Sequence, residues 1–180
     1  EQMLVRTLQR ARHLATTGWE LPGSPPLRFF LTNTVTENDF DTNRDTLLEY
    51  FAALDDFDIV AALKNWMYAP DRVLAFLAQS LINRRLFKLE LQNTPIAIAR
   101  MEEMKQQVAG WWNGQAEDIP YLVFSGQESN NTYNTQKDEI QILYKDGQVR
   151  PMSTSVDFEI QPRNTVKYYL CYPKMQDQPL

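Results

Sequence analysis

Few residues in this chain combine catalytic side-chain chemistry with a spacing that catalysis could use. There is one histidine, His13, and one cysteine, Cys171. A single imidazole excludes a zinc finger, an HExxH helix and any multi-histidine metal centre built from this chain alone. Ser80, Ser153 and Ser155 lack a partner base, because helical periodicity puts His13 on the polar side of an amphipathic helix. Glycines at 110, 114, 126 and 147 are too sparse for a phosphate-cradling loop. Carboxylates cluster at Glu102 and Glu103 and at Asp55, Asp56 and Asp58. These are ordinary helix-start and helix-face positions, whereas acid–base work needs a carboxylate partly buried beside a cleft. Asp39, Asp41, Asn43 and Asp45 alternate like the ligands of a calcium loop, but Arg44 replaces the turn glycine and Tyr50 stands where a bidentate Glu is required. Helix capping is the chemistry they offer. The sequence thus supplies no catalytic, cofactor-binding or metal-ligating set.

One constellation remains, the basic group Arg84, Arg85 and Lys88. Read as a strand, RRLFKLEL over residues 84–91 puts Arg84 and Lys88 on one face and Arg85 on the other. At a subunit or domain seam, the first two could hold phosphate oxygens by charge-assisted bonds. The alternative is that they are solvated, or paired with the acidic helices before them. Residues 37–58 hold eight acidic side chains and a single basic one, Arg44. The whole chain has 18 Lys and Arg against 23 Asp and Glu, a formal net charge of -5 that disfavours nucleic acid as a partner.

The elements that must position this group change character near Arg84. Before it, apolar residues recur at helical spacing; after it, short aromatic and β-branched runs alternate with turn signals. Leu4, Leu8, Ala11 and Ala15 mark a first helix that Gly18 ends, and the lack of an N-cap before Glu1 reads as a helix cut in its middle. Residues 16–26 read as a proline-rich loop, and LRFFL, residues 27–31, is ambiguous. Asp41 or Asn43 can cap a helix with Leu47, Leu48, Phe51 and Leu54 inward, and Asp55 or Asp56 caps another over residues 57–68 with Val60, Leu63 and Met67 on one face. Pro70 opens a third, with Val73, Leu74, Leu77 and Leu81 inward.

After the strand at 84–91, Thr94 and Pro95 start a helix with Ile98, Met101, Met104 and Val108 as its stripe. YLVFSG, EIQILY and VKYYLCY read as strands, and Lys145, Asp146 and Gly147 as a hairpin turn. Residues 125–138 read as a polar loop, and Thr154 with Asp157 as the cap of a short helix. The order β, α, β, β-hairpin, α, β predicts a ferredoxin-like α+β unit over 84–180, following an all-helical region over 1–83, with Trp111 and Trp112 closing the edge of its layer.

Composition sets the class. With 43% hydrophobic and 23% charged residues in 180, the chain is globular. It contains no apolar run of about eighteen residues to cross a membrane and no recognisable signal peptide. A lone Cys171 inside YYLCY reads as a buried strand thiol in a reducing compartment, which predicts a cytoplasmic protein.

The segments EQMLVRTLQRARHL and LAQSLINRRLFKLEL resemble the region that follows the catalytic core in HD-superfamily phosphohydrolases of the deoxynucleoside triphosphate triphosphohydrolase type, including the sterile-alpha-motif and HD-domain proteins. TYNTQKDEIQILYKDG and VKYYLCYPK are similar to the C-terminal part of a bacterial branch of that group. The family's metal is held by His, His-Asp and Asp residues upstream of such a region. The resemblance therefore implies a non-catalytic C-terminal region of a metal-dependent nucleotide phosphohydrolase, with its divalent metal and catalytic HD domain upstream and with homo-oligomers as assemblies. Arg84 and Lys88, with Leu86 and Phe87 between them, match the family's R-x-L-F-K segment. The match implies contact with a regulatory nucleotide at a subunit interface. Two other readings are a free-standing ligand-sensing or interaction domain, and an RNA-binding ferredoxin-like module using Tyr121, Tyr144, Tyr168 and Tyr169.

Overall fold

A computed structural model describes residues 1–130, 140–152 and 165–175 of the chain. The expected helix at Thr154 and Asp157, and most of the expected polar loop, lie outside the described residues. The protein is α+β: a helical N-terminal part is followed by a strand-bearing C-terminal part. The chain forms two compact units, one of Glu1–Lys88, Glu102–Phe124 and Cys171–Leu180, the other of Leu89–Met101 and Ser125–Leu170.

The first unit is built on helix α5, Arg72–Ile82, whose Val73, Leu74, Ala75, Phe76, Leu77, Ala78 and Ser80 are all buried. A helix apolar nearly all round must be enclosed by its neighbours. It packs on α1, Gln2–Thr16, and on α4, Asp56–Trp66. Helix α2, Pro25–Thr32, packs on α1 and on α3, Glu37–Ala52. Ala11, Leu14, Leu27, Leu31, Leu63, Trp66 and Leu74 belong to one core cluster, at whose margin the Trp66 indole N–H donates to the Pro22 carbonyl at 2.9 Å.

Local chemistry explains where these helices begin. Asp55 accepts from the amides of Phe57 and Asp58, while Asp58 accepts from the Asp55 amide at 2.8 Å, closing a capping box. Asp39 likewise accepts from the amide and hydroxyl of Thr36 at 2.7 Å, so α3 starts earlier than Asp41 or Asn43 would have it. Asn43 instead sits at a kink with non-helical φ/ψ. Residues 25 and 26, read as the end of the loop, and the ambiguous 27–31 are helix: Ser24 is the N-cap, and Pro25 and Pro26 fill first-turn positions where a missing N–H costs nothing. Pro70 stands outside α5, which Asp71 caps by accepting from the Leu74 amide at 2.8 Å.

The packing stripes also shift. In α1 the deeply buried residues are Met3, Thr7, Ala11 and Leu14, with Leu4, Leu8 and Ala15 at the margin of the core. Of the α3 stripe only Leu47 is buried; Phe51 is 67% exposed. Val60 of α4 is exposed as well, its place inside taken by Ala62 and Trp66.

The second unit carries strands β1, Lys88–Gln92, β2, Phe124–Asn130, and β5, Thr165–Tyr172, in the order β1-β5-β2. β3, Gln141–Leu143, and β4, Val149–Pro151, form a separate antiparallel ribbon around the expected turn, with Gly147 at φ 80°. The strands expected in a single ferredoxin-like sheet thus lie in two sheets among the described residues, with the last strand central in the larger. β2 runs through residues placed in the polar loop by composition; Gly126 lies there against Tyr169, where a Cβ would come within 2.5 Å of the phenol oxygen. Helix α6, Ile98–Trp112, buries Met104 and Val108 and leaves Ile98 exposed. The residues before β2 form a short helix α7, Ile119–Leu122, rather than the start of a strand, Pro120 standing in its first turn.

Leu77→Ala at the fully enclosed centre of α5 is expected to cost about 2–5 kcal/mol in chemical denaturation, and Phe51→Ala less than about 0.5. Equal losses would contradict the packing described.

Candidate functional site

The basic segment is not a strand from its first residue. Helix α5 ends at Ile82, and the Arg84 amide donates to the Leu81 carbonyl at 3.2 Å and the Arg85 amide to the Ser80 carbonyl at 2.8 Å. This pair of bonds is a Schellman turn, which requires a left-handed residue; Arg84 fills it at φ 56°. The same turn ends α1, where Gly18 occupies the position at φ 97°, Gly18 bonding to Ala15 and Trp19 to Leu14. Glycine adopts this conformation freely and an arginine does not. Strand β1 begins only at Lys88. Arg84 and Lys88 therefore do not share a strand face, contrary to the strand reading of 84–91.

What holds the segment is Phe87. Its side chain is buried, tilted against Phe76 with centroids 6.0 Å apart and against Phe124 at 6.3 Å, and its amide points at the Met3 sulfur at 3.3 Å. Arg84, Arg85, Leu86 and Lys88 around it are exposed. The Lys88 ammonium stands 5.7 Å from the centroid of the Tyr172 ring, a cation–π contact that leaves its donors available to an anion. Among the described residues none of these three cations is ion-paired with a carboxylate, so the acidic helices α3 and α4 do not neutralise them.

The other end of α5 is fixed by a group that sequence reading missed. Arg10 grips Asp71 with Nε on Oδ1 at 3.0 Å and Nη2 on Oδ2 at 2.6 Å. It also approaches Asp118 at 3.8 Å and lies 5.1 Å over the Tyr121 ring. Hydrogen bonding to Asp71 raises the Arg10 pKa further above its ordinary value, against the opposing effect of burial. Asp118 accepts from the Trp112 indole at 2.9 Å and from the Gln115 amide at 3.1 Å, while Arg72 covers the Trp112 ring at 4.1 Å. Trp112 is thus wholly buried in this unit rather than closing a sheet edge. Every partner of Arg10 is either a hydrogen-bond acceptor or a ring, which is a positioning arrangement and not a nucleophile–base pair.

Among the described residues no group of three or more His, Cys, Asp or Glu could hold a metal ion. His13 is exposed, as expected from its helical face. Cys171 is buried in β5, also as expected, and burial pushes its thiol up to about 11. No helix among the described residues is long and apolar enough to cross a membrane.

The chain is similar to a phosphohydrolase of Bacteroides thetaiotaomicron of known crystal structure, with a TM-score of 0.78 and 38% identity over 96% of the present chain. The chain spans 43% of the length of that protein. No family model and no curated protein matches it.

Two measurements test this geometry. Arg84→Gly relieves the left-handed turn and is expected to raise stability by about 0.5–1 kcal/mol in denaturant titration; a loss would contradict the Schellman assignment. Cys171, protonated throughout the neutral range, is expected to resist iodoacetamide at pH 8 in the native protein and to react fully in guanidinium. Rapid native alkylation would contradict its burial.

Proposed function

We propose that this chain is the non-catalytic C-terminal structural and regulatory region of an HD-type, metal-dependent nucleotide phosphohydrolase. The observation that carries the reading is likeness in both sequence and fold to less than half of a larger phosphohydrolase. Among the described residues no group fits a metal centre, and no step of hydrolysis is assigned to them. In this reading the divalent metal and the attacking water belong to an upstream HD domain. That domain is the chain's first partner, and the assembly works in the cytoplasm as an oligomer.

The regulatory role falls to Arg84 and Lys88, now as an exposed turn and strand start pinned by Phe87 rather than as one strand face. A guanidinium held in an unfavourable backbone conformation, without a carboxylate partner among the described residues, is a candidate for a ligand contact. A phosphate of a regulatory nucleotide is the anion that fits a planar donor fork beside a point charge. The RNA-binding alternative loses support, because Tyr169 is buried and Tyr121, Tyr144 and Tyr168 are half-buried rather than displayed for base stacking.

The isolated chain is expected to release no phosphate from nucleoside triphosphates with Mg²⁺ or Mn²⁺; protein-proportional turnover that survives repurification would contradict the reading. In the full-length protein, Arg84→Ala and Lys88→Ala are each expected to shift the midpoint of nucleotide activation roughly tenfold or more upward, the loss of a charge-assisted bond. Metal content and melting temperature should stay at the wild-type level. Unchanged midpoints would remove the regulatory role.

A further inference from the structure

A cavity of about 430 Å³ lies within the first unit, where the end of α1, the turn after it, α2 and Tyr50 of α3 meet. Small-ligand pockets of roughly 300–1,000 Å³ are lined mainly by apolar and aromatic side chains, with a few polar groups that fix orientation. This cavity has that make-up. Leu21 and Leu31, both members of the core cluster, supply apolar lining. Phe29 and Tyr50 add two rings stacked with centroids 4.6 Å apart and an interplanar angle of 1°, and Phe30 braces Phe29 edge-on at 5.3 Å. Trp19 lines the cavity as well. Its amide is tied to the Leu14 carbonyl at 3.0 Å by the turn that ends α1, yet its side chain is 41% exposed. An indole face left in view beside a cavity is a surface on which a further ring can lie.

Two opposite charges line the same cavity, Glu20 and Arg28. Both are exposed, and among the described residues neither side chain is ion-paired, with the other or with anything else. The guanidinium fork matches a carboxylate with two parallel bonds, and the Glu20 carboxylate accepts from an ammonium. Asn33 lies there too, its Nδ2 donating to the Phe29 carbonyl at 2.9 Å and to the Thr32 hydroxyl at 3.0 Å, which leaves Oδ1 as a second acceptor.

We propose that this cavity binds a free aromatic amino acid, with its ring against Trp19 and the Phe29–Tyr50 pair, its carboxylate on Arg28 and its ammonium on Glu20 and Asn33. A neutral ring would leave both charges unused, and a purely anionic ligand would meet the Glu20 carboxylate. An aromatic zwitterion answers the rings, the cation and the anion together. The site shares no residue with the Arg84 segment, so its failure leaves the nucleotide reading untouched.

Isothermal titration of the full chain with L-phenylalanine, L-tyrosine and L-tryptophan is expected to show saturable binding of at least one. On the unaltered protein, the corresponding arylethylamine, which lacks the carboxylate, and the arylpropionate, which lacks the ammonium, should each bind roughly tenfold more weakly or worse, for want of a charge-assisted bond. L-Leucine, with both charges and no ring, should be weakened likewise. Arg28→Ala should weaken the amino acid by a similar factor and leave the arylethylamine unchanged, while Glu20→Gln should weaken the amino acid and leave the arylpropionate no weaker. Both positions are exposed, so melting temperatures should stay at the wild-type value. No saturable binding of any of the three amino acids, equal affinity for the truncated ligands, or an Arg28→Ala protein that loses amine and amino acid alike would overturn the proposal.

Discussion

The half-buried bidentate pair between Arg10 and Asp71 is the constraint on which the rest of the helical unit depends. Asp71 does two things with one carboxylate: it caps the most deeply buried helix of the unit and anchors that helix to α1. Removing one partner leaves the other charge partly desolvated without compensation, at a cost below the about 3–5 kcal/mol of a fully buried pair. Asp118 and Tyr121 extend the same cation to α7, and Trp112 ties the end of α6 to Asp118. Gly114 is squeezed between the Trp112 indole and the Asp118 carboxylate, where no Cβ fits. One guanidinium thus sets where α5 begins, and the length of α5 sets where Arg84 emerges.

Local signals in the sequence were legible wherever the physics is local. Gly18 as the end of α1, the Asp55 or Asp56 pair as the start of α4, where Asp55 proves to be the cap, and the turn around Gly147 each depend on a few neighbouring residues. Pro25 and Pro26 misled because proline is equally at home in a loop and in a first helical turn. Phe51 and Val60 misled because periodicity marks an apolar face without saying whether anything covers it. Arg10 and Asp71 are 61 residues apart, and nothing in the sequence around either marks the other as its partner. The sequence reading puts Pro70 at the start of α5 and passes over Asp71.

The basic segment was found by composition but misdescribed in conformation. RRLFK has the alternation of a strand, yet α5 needs its last carbonyls satisfied, and the turn that does so takes Arg84 out of the strand. What alternation predicted as a shared face is a helix-terminating turn followed by a buried phenylalanine and an exposed lysine. Both cations are exposed, at a turn and at a strand start rather than on one strand face.

Helix α5, clamped at Asp71 and closed by the Schellman turn, holds the Arg84 segment in a fixed conformation. Native-state hydrogen exchange of the Arg85 amide, which donates to Ser80, tests it most directly. This amide is expected to exchange as slowly as the amides of α5 itself, with Asp71→Ala accelerating both together. Exchange at the rate of an unstructured loop in the wild-type chain, with α5 still protected, would contradict it.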